Sequence, residues 1–147
     1  MRPSDEIEES PGEDPGTVPG FGLAIAAEAL YLANLLVLPG AAFLLLFYLR
    51  RRAGPQAPPL AAAHLAQTFF ASLWAGGLLV VVNLAIVLLG GYQGVHTWVV
   101  LILYFTACHS TLVLLGVIGL TKAMAAQCWR YPLIGRPLPT DCPGRRP

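Results

Sequence analysis

Apolar and polar positions along this chain are segregated into blocks rather than interleaved. Ala29 to Tyr48, Thr68 to Leu89 and Trp98 to Leu120 contain no Asp, Glu, Lys or Arg, and each reaches the roughly 20 residues that a helix needs to cross a bilayer. None alternates with a period of two, and in lipid only helices and closed barrels satisfy their own backbone. The pattern predicts an all-α integral membrane protein, an antiparallel bundle of three transmembrane helices over 21–49, 61–89 and 98–127. The turn at 90–97 is short enough to force the second and third helices antiparallel. The polar, Pro-rich run Ala53 to Pro59 makes the connection over 50–60 a real break. Prolines at 132, 137, 139, 143 and 147 exclude a long helix from the tail over 128–147, which should be extended or docked on the membrane surface.

Composition agrees with the pattern: 56% of the 147 residues are hydrophobic and only 12% charged, far from the mix of a soluble domain of that length. The start of the chain is the reverse of a signal peptide, which needs a basic opening and a compact apolar core. Asp5, Glu6, Glu8, Glu9, Glu13 and Asp14 alternate with prolines and glycines, so residues 1–20 are expected to form a disordered, uncleaved acidic tail.

A net charge of +1 conceals the asymmetry that sets topology. Eight of the nine basic residues fall either just after the first helix (Arg50, Arg51, Arg52) or near and beyond the end of the third (Lys122, Arg130, Arg136, Arg145, Arg146). The positive-inside rule makes that face cytoplasmic, and with three crossings it puts the amino terminus outside and the carboxyl terminus inside a cell (inner) membrane. Glu28 is then expected at the outer interface, where a carboxylate remains hydrated. Tyr48, Trp129 and Tyr131 read as interfacial anchors inside, and Tyr92 with Trp98 outside.

Polar side chains within the spans are the candidates for chemistry, since each needs a partner in hydrocarbon. At about 1.5 Å per residue, Asn34 and Asn83 lie roughly 8 and 10 Å below the outer edge and His109 about 16 Å, near the midplane beside Pro39. Asn34, Asn83 and His109 read either as interhelical glue or as a polar track for an ion or proton. On the cytoplasmic side Arg50, Arg51, Arg52, His64, Gln67, Lys122, Arg130 and Arg136 are expected to form a collar that contacts lipid headgroups or a partner. Small residues at Ala71, Ser72, Ala75, Gly76, Gly116 and Gly119 are read as allowing the second and third helices to approach closely, or two copies to associate.

No catalytic residues, metal site or cofactor are expected. His64 at the cytoplasmic edge and His109 at mid-membrane stand at different depths, which argues against a bis-histidine haem. Cys108, Cys128 and Cys142 fit no zinc spacing and are expected as plain thiols, two of them reduced on the cytoplasmic side. Nothing supports nucleic-acid binding, because the basic residues follow the membrane.

The stretch Ala123-Met124-Ala125-Ala126-Gln127-Cys128-Trp129-Arg130-Tyr131-Pro132-Leu133-Ile134-Gly135-Arg136 resembles the end of the last helix in small bacterial membrane proteins of a domain-of-unknown-function group. That group is similar to the Tic-twenty translocon subunit of the chloroplast inner envelope. A basic cluster closing a proline-containing first helix (Pro39, Arg50 to Arg52) and a helix opening with His64 and Gln67 extend the resemblance over Leu30 to Arg136. It implies a small helical membrane protein and no transferable enzymatic activity. The expectation is a non-enzymatic scaffold or accessory subunit contacting membrane lipids, a homo-oligomer or part of a larger membrane complex. The alternative is a component of an oligomeric channel, transporter or protein-translocation system.

Overall fold

The structure, a computed structural model, describes residues 14–142. The acidic tail up to residue 13 and the final Arg145 and Arg146 lie outside this range. Among the described residues every regular element is helical. The chain opens with a 3₁₀ turn, Pro15–Thr17, capped by Asp14, whose Oδ1 accepts from the Gly16 amide at 3.1 Å. Residues 14–20 are therefore ordered, contrary to the expectation of disorder through residue 20.

The continuous helix expected over 21–49 is instead two helices, α1 (Phe21–Leu36) and α2 (Ala41–Ala53). The break follows from local chemistry. Pro39 has no amide hydrogen to continue the helix, and the amides of Val37 and Leu38 both turn back to the Ala33 carbonyl, at 3.0 and 2.8 Å. Gly40 takes a φ of +85°, open to glycine without a Cβ penalty. Its amide is held by Asn34 Oδ1 at 2.9 Å. The proline read as a kink thus reverses the chain. α2 returns along α1, and buried Leu46 packs against Ala27 and against Leu65 of the next helix. The start of α1 is fixed beside the start of that same helix: a Cβ on Gly20 would stand 2.8 Å from Ala61 Cβ. Both ends of the hairpin therefore lie at one end of the bundle.

After Gly54, Pro58 and Pro59 open α3 (Pro59–Gly76), proline being suited to a first turn whose amides lack partners. A π-helical stretch, Gly77–Val81, links α3 to α4 (Val82–Gly90), so that Pro59–Gly90 forms one 32-residue rod. α5 (Val95–Met124) is the second rod, of 30 residues. These two are long and apolar enough to cross a membrane. The turn between them is tied by Thr97 Oγ1 donating to the Gly90 carbonyl at 2.7 Å and by the Trp98 indole donating to Tyr92 at 2.9 Å.

The small residues on the two rods accommodate α1. A Cβ on Gly116 would meet Leu32 at 2.7 Å and Tyr31 at 2.8 Å, and Ala71 packs with Tyr31 and Tyr131. Helix α1 is thus wedged between α3 and α5, where the sequence suggested direct packing of the rods.

Beyond Met124 the chain neither extends nor drifts across a surface. It folds back onto the bundle end, and Cys128 and Cys142 form a disulfide with Cα atoms 5.9 Å apart. This corrects the expectation of two free thiols. The Pro-rich loop returns Cys142 to Pro59, whose carbonyl oxygen lies 3.8 Å from Sγ. Cys108 remains free.

The hairpin predicts a cross-link that a straight helix forbids. With Ala27→Cys and Leu46→Cys, mild oxidation should join the two positions by a disulfide, read as a mobility shift after cleavage between them. In a continuous helix, positions 19 apart would stand about 28 Å from each other and no product would form.

Candidate functional site

Glu28 is the sole acidic residue between Asp14 and Asp141, and it is completely buried. Three different parts of the chain converge on it. From α3, His64 Nδ1 lies 2.6 Å from Glu28 Oε1; from the segment after α5, the Tyr131 hydroxyl donates to Glu28 Oε2, also at 2.6 Å. The third contact is an approach of backbone, because a Cβ on Gly119 of α5 would stand 2.5 Å from Oε2. Glycine here admits the carboxyl group.

The proton count follows from the acceptors. His64 Nε2 lies 3.0 Å from the Gln127 carbonyl oxygen, which only accepts, so Nε2 carries hydrogen. One further proton is then shared between Nδ1 and Oε1. Whether it resides on the imidazole or the carboxyl, the pair carries no net charge, which is the condition for burying both groups in an apolar bundle. Burial first, and the adjacent Glu28 next, hold the Tyr131 phenol well above its ordinary range, so it remains a donor. Tyr31 completes the surroundings: it meets Tyr131 edge to face at 5.7 Å and donates to the Leu112 carbonyl at 3.3 Å.

One helical turn along α3, Gln67 forms a second link to the same returning segment. Its Nε2 donates to the Arg136 carbonyl at 2.6 Å and its Oε1 accepts from the Arg136 amide at 3.0 Å. His64 and Gln67 are 0% and 1% exposed, so neither belongs to a headgroup-facing collar as expected. Tyr131, at 1%, is a core residue and no interfacial anchor.

The remaining collar residues are placed at the bundle end. The Arg50 guanidinium stacks over Phe69 at 4.6 Å and Arg136 over Phe70 at 3.9 Å, while Arg51 covers Phe47. Arg52 donates to the Tyr48 hydroxyl, Lys122 to Gln127 Oε1 and Arg130 to the Gly135 carbonyl. These cations are held by aromatic faces and local acceptors, with their stems over apolar surface.

The polar track expected from Asn34, Asn83 and His109 is not assembled. Asn34 caps the hairpin turn, and Asn83 donates to the Leu79 carbonyl on its own rod at 2.7 Å. His109 stacks on Phe105, with centroids 5.3 Å apart and planes 9° from parallel. Asn34 and His109 line one cavity of about 500 Å³ that Asn83 does not reach.

Chemically, the Glu28 cluster is closed: both carboxyl oxygens and both ring nitrogens have partners, and neither the 500 Å³ cavity nor the smaller one beside Arg50 is lined by them. It acts as a clasp joining α1, α3 and the returning segment. Comparison of the chain with family models, with curated proteins and with solved structures gave no match. Glu28 and Tyr131 were not among the candidate residues of the sequence, and His64 and Gln67 were candidates for a different role; the signals present were a single carboxylate in an otherwise apolar stretch, and His64 with Gln67 spaced three apart on one helix face.

Tyr131→Phe removes one donor from a buried carboxyl and should destabilise the protein by about 1–3 kcal/mol, read as a lowered midpoint of thermal unfolding in mild detergent. Combining it with Glu28→Gln should cost clearly less than the sum of the single losses, since the two side chains share one interaction. Strict additivity would show that the contact contributes nothing.

Proposed function

We propose that this chain is a non-enzymatic membrane protein of scaffold or accessory type, residing in the cell (inner) membrane as part of a larger assembly. Pro59–Gly90 and Val95–Met124 cross the bilayer, and the α1–α2 hairpin enters and leaves on one face without crossing. In this arrangement both chain ends share the face that carries Arg50, Arg51, Arg52, Lys122, Arg130 and Arg136. That replaces the three-span topology with an outward amino terminus. Charge and sulfur weigh oppositely on which face it is. Every described Lys and Arg lies on it, which favours the cytoplasm, whereas a disulfide persists more readily outside. We take the charge bias as decisive, because Cys142 is only 7% exposed and burial shelters the bond from thiol attack.

The observation that carries the accessory reading is the bareness of the outer half. The hairpin stops at mid-depth, leaving α4 packed on α5 and on the π-helical stretch that it continues. No residue of α4 is buried, and Leu84, Leu88, Leu89, Ile102 and Leu103 are all more than half exposed. Two helices enclose no path, so a channel or translocation role for one copy alone lacks support, and lipid or partner helices must cover this surface. Kinship with the Tic-twenty-like group is part of the proposal; the stretch on which that resemblance rests supplies Tyr131, so its role here is to close the fold.

Two measurements test this. A protease-sensitive tag placed before residue 14 and another after residue 142 should be cut from the same side of the membrane, and one inserted at 91–94 from the opposite side; three crossings would separate the terminal tags. Purification in nanodiscs with native mass measurement should yield a defined complex with other membrane proteins. A partner-free homo-oligomer that passes ions in liposomes would overturn the accessory reading in favour of a channel.

A further inference from the structure

We propose that Arg50 and Arg136 form a discrete binding site for the phosphate of one anionic phospholipid. The two guanidiniums share a ring: their central carbons lie 5.2 and 3.9 Å from the centroid of Phe70, and so at most about 9 Å from each other. Arg50 also stands 4.6 Å over Phe69. Among the described residues neither guanidinium has a carboxylate or a hydrogen-bond acceptor. In this they differ from Arg52, Lys122 and Arg130, each of which donates to an oxygen of the protein itself.

Like charges set on one ring with no acceptor between them disfavour each other, and a bound anion reverses that balance. Burial first, and the charge of Arg136 next, hold the Arg50 guanidinium below its ordinary range. The placement is nonetheless enforced. Buried Gln67 grips the backbone of Arg136 at both its amide and its carbonyl, and Phe70, three residues further along the same face of α3, meets the side chain. The donors are also within reach of a ligand. Of the Arg50 nitrogens only Nη1 is buried, which leaves Nε and Nη2 at the surface, and Arg136 is an exposed residue. Each guanidinium presents a planar fork matched to two phosphate oxygens, and one phosphate accepts from more than one fork.

Depth and surface select a lipid as the source of that phosphate. Phe70 precedes Gly90, the far end of its rod, by 20 residues, about 30 Å and equal to the thickness of the hydrocarbon layer. With Gly90 at one edge of that layer, the two guanidiniums stand at the other, level with the headgroups. Next below Phe70 on the same face of α3, Leu73 and Trp74 are 48% and 52% exposed, an apolar track for an acyl chain. Two unneutralised cations repel the ammonium of a zwitterionic head, so the favoured lipid has an anionic phosphate and an uncharged head alcohol, as in phosphatidylglycerol. The inference needs only that the two rods cross the bilayer, which the tag experiment checks separately, and is independent of the accessory role.

The test uses the full chain in detergent micelles, titrated separately with dioleoylphosphatidylglycerol and dioleoylphosphatidylcholine, with bound copies counted by native mass spectrometry. Saturable binding of about one copy of the anionic lipid, weakened about 10-fold or more in Arg136→Gln and in Arg50→Gln, supports the site. Arg52→Gln, whose guanidinium is already held by Tyr48, should bind as the wild type does. Should Arg50→Gln fail to fold, Arg136→Gln decides alone, because Gln67 holds only the backbone of that residue. Equal weakening in all three variants would mean a diffuse basic collar and overturns the proposal, as does equal binding of the zwitterionic lipid. Displacement of the bound lipid by an equal concentration of inorganic phosphate would assign the pair to a free anion. Lipid binding seen only after Glu8, Glu9 and Glu13 are changed to Gln would assign it to the acidic tail. Either result overturns the lipid site, and so does the absence of saturable binding.

Discussion

A carboxyl group buried among helices dictates much of this architecture. Glu28 has no route to water, so it must be neutralised and hydrogen-bonded where it stands, and its partners are 36 and 103 residues away in the chain. Satisfying it requires α1 to start beside α3, the helix after it to turn back, and the chain beyond α5 to return and deliver Tyr131. Gly119 records the same demand from the other side, since a methyl group there would occupy the carboxylate's position. Half-satisfied, the cluster would be worse than an apolar core; complete, it specifies one arrangement.

The all-helical character, the two long rods and the tight turn between them were legible from the segregation of apolar blocks. The hairpin was not. Whether a proline bends a helix or reverses it depends on the surface the next segment finds, and that surface, α3 with Leu65, lies 19 residues beyond Leu46. Once the first segment is taken as straight, Glu28 is carried to the wrong end of the molecule, and the error propagates to His64, Gln67 and Tyr131, each assigned to a headgroup zone when each is core. The cysteines failed for a related reason: compartment rules speak to bulk redox conditions and are silent on two sulfurs brought together by a folded tail.

Function reads differently once depth is corrected. The carboxylates, lysines and arginines of the described residues are gathered at one end of the bundle, whereas the middle of the rods carries the cavity, and the opposite half is a pair of largely exposed helices. These three zones stack along the rods in order: clasp, cavity, open flank. A protein built this way has a rigid end and, opposite it, a bare lateral surface.

The clasp also imposes an order on biosynthesis. Glu28 and His64 leave the ribosome early, but Tyr131 follows Glu28 by 103 residues, an interval of about 5–20 s at ordinary rates of synthesis. Throughout that interval the nascent hairpin carries an acid lacking its phenol donor and the glycine-lined bed of α5. It has no reason to settle at depth until the last rod arrives. The first helices made are then the last to be seated, and a chain released before residue 131 holds a hairpin whose acid still lacks its phenol donor.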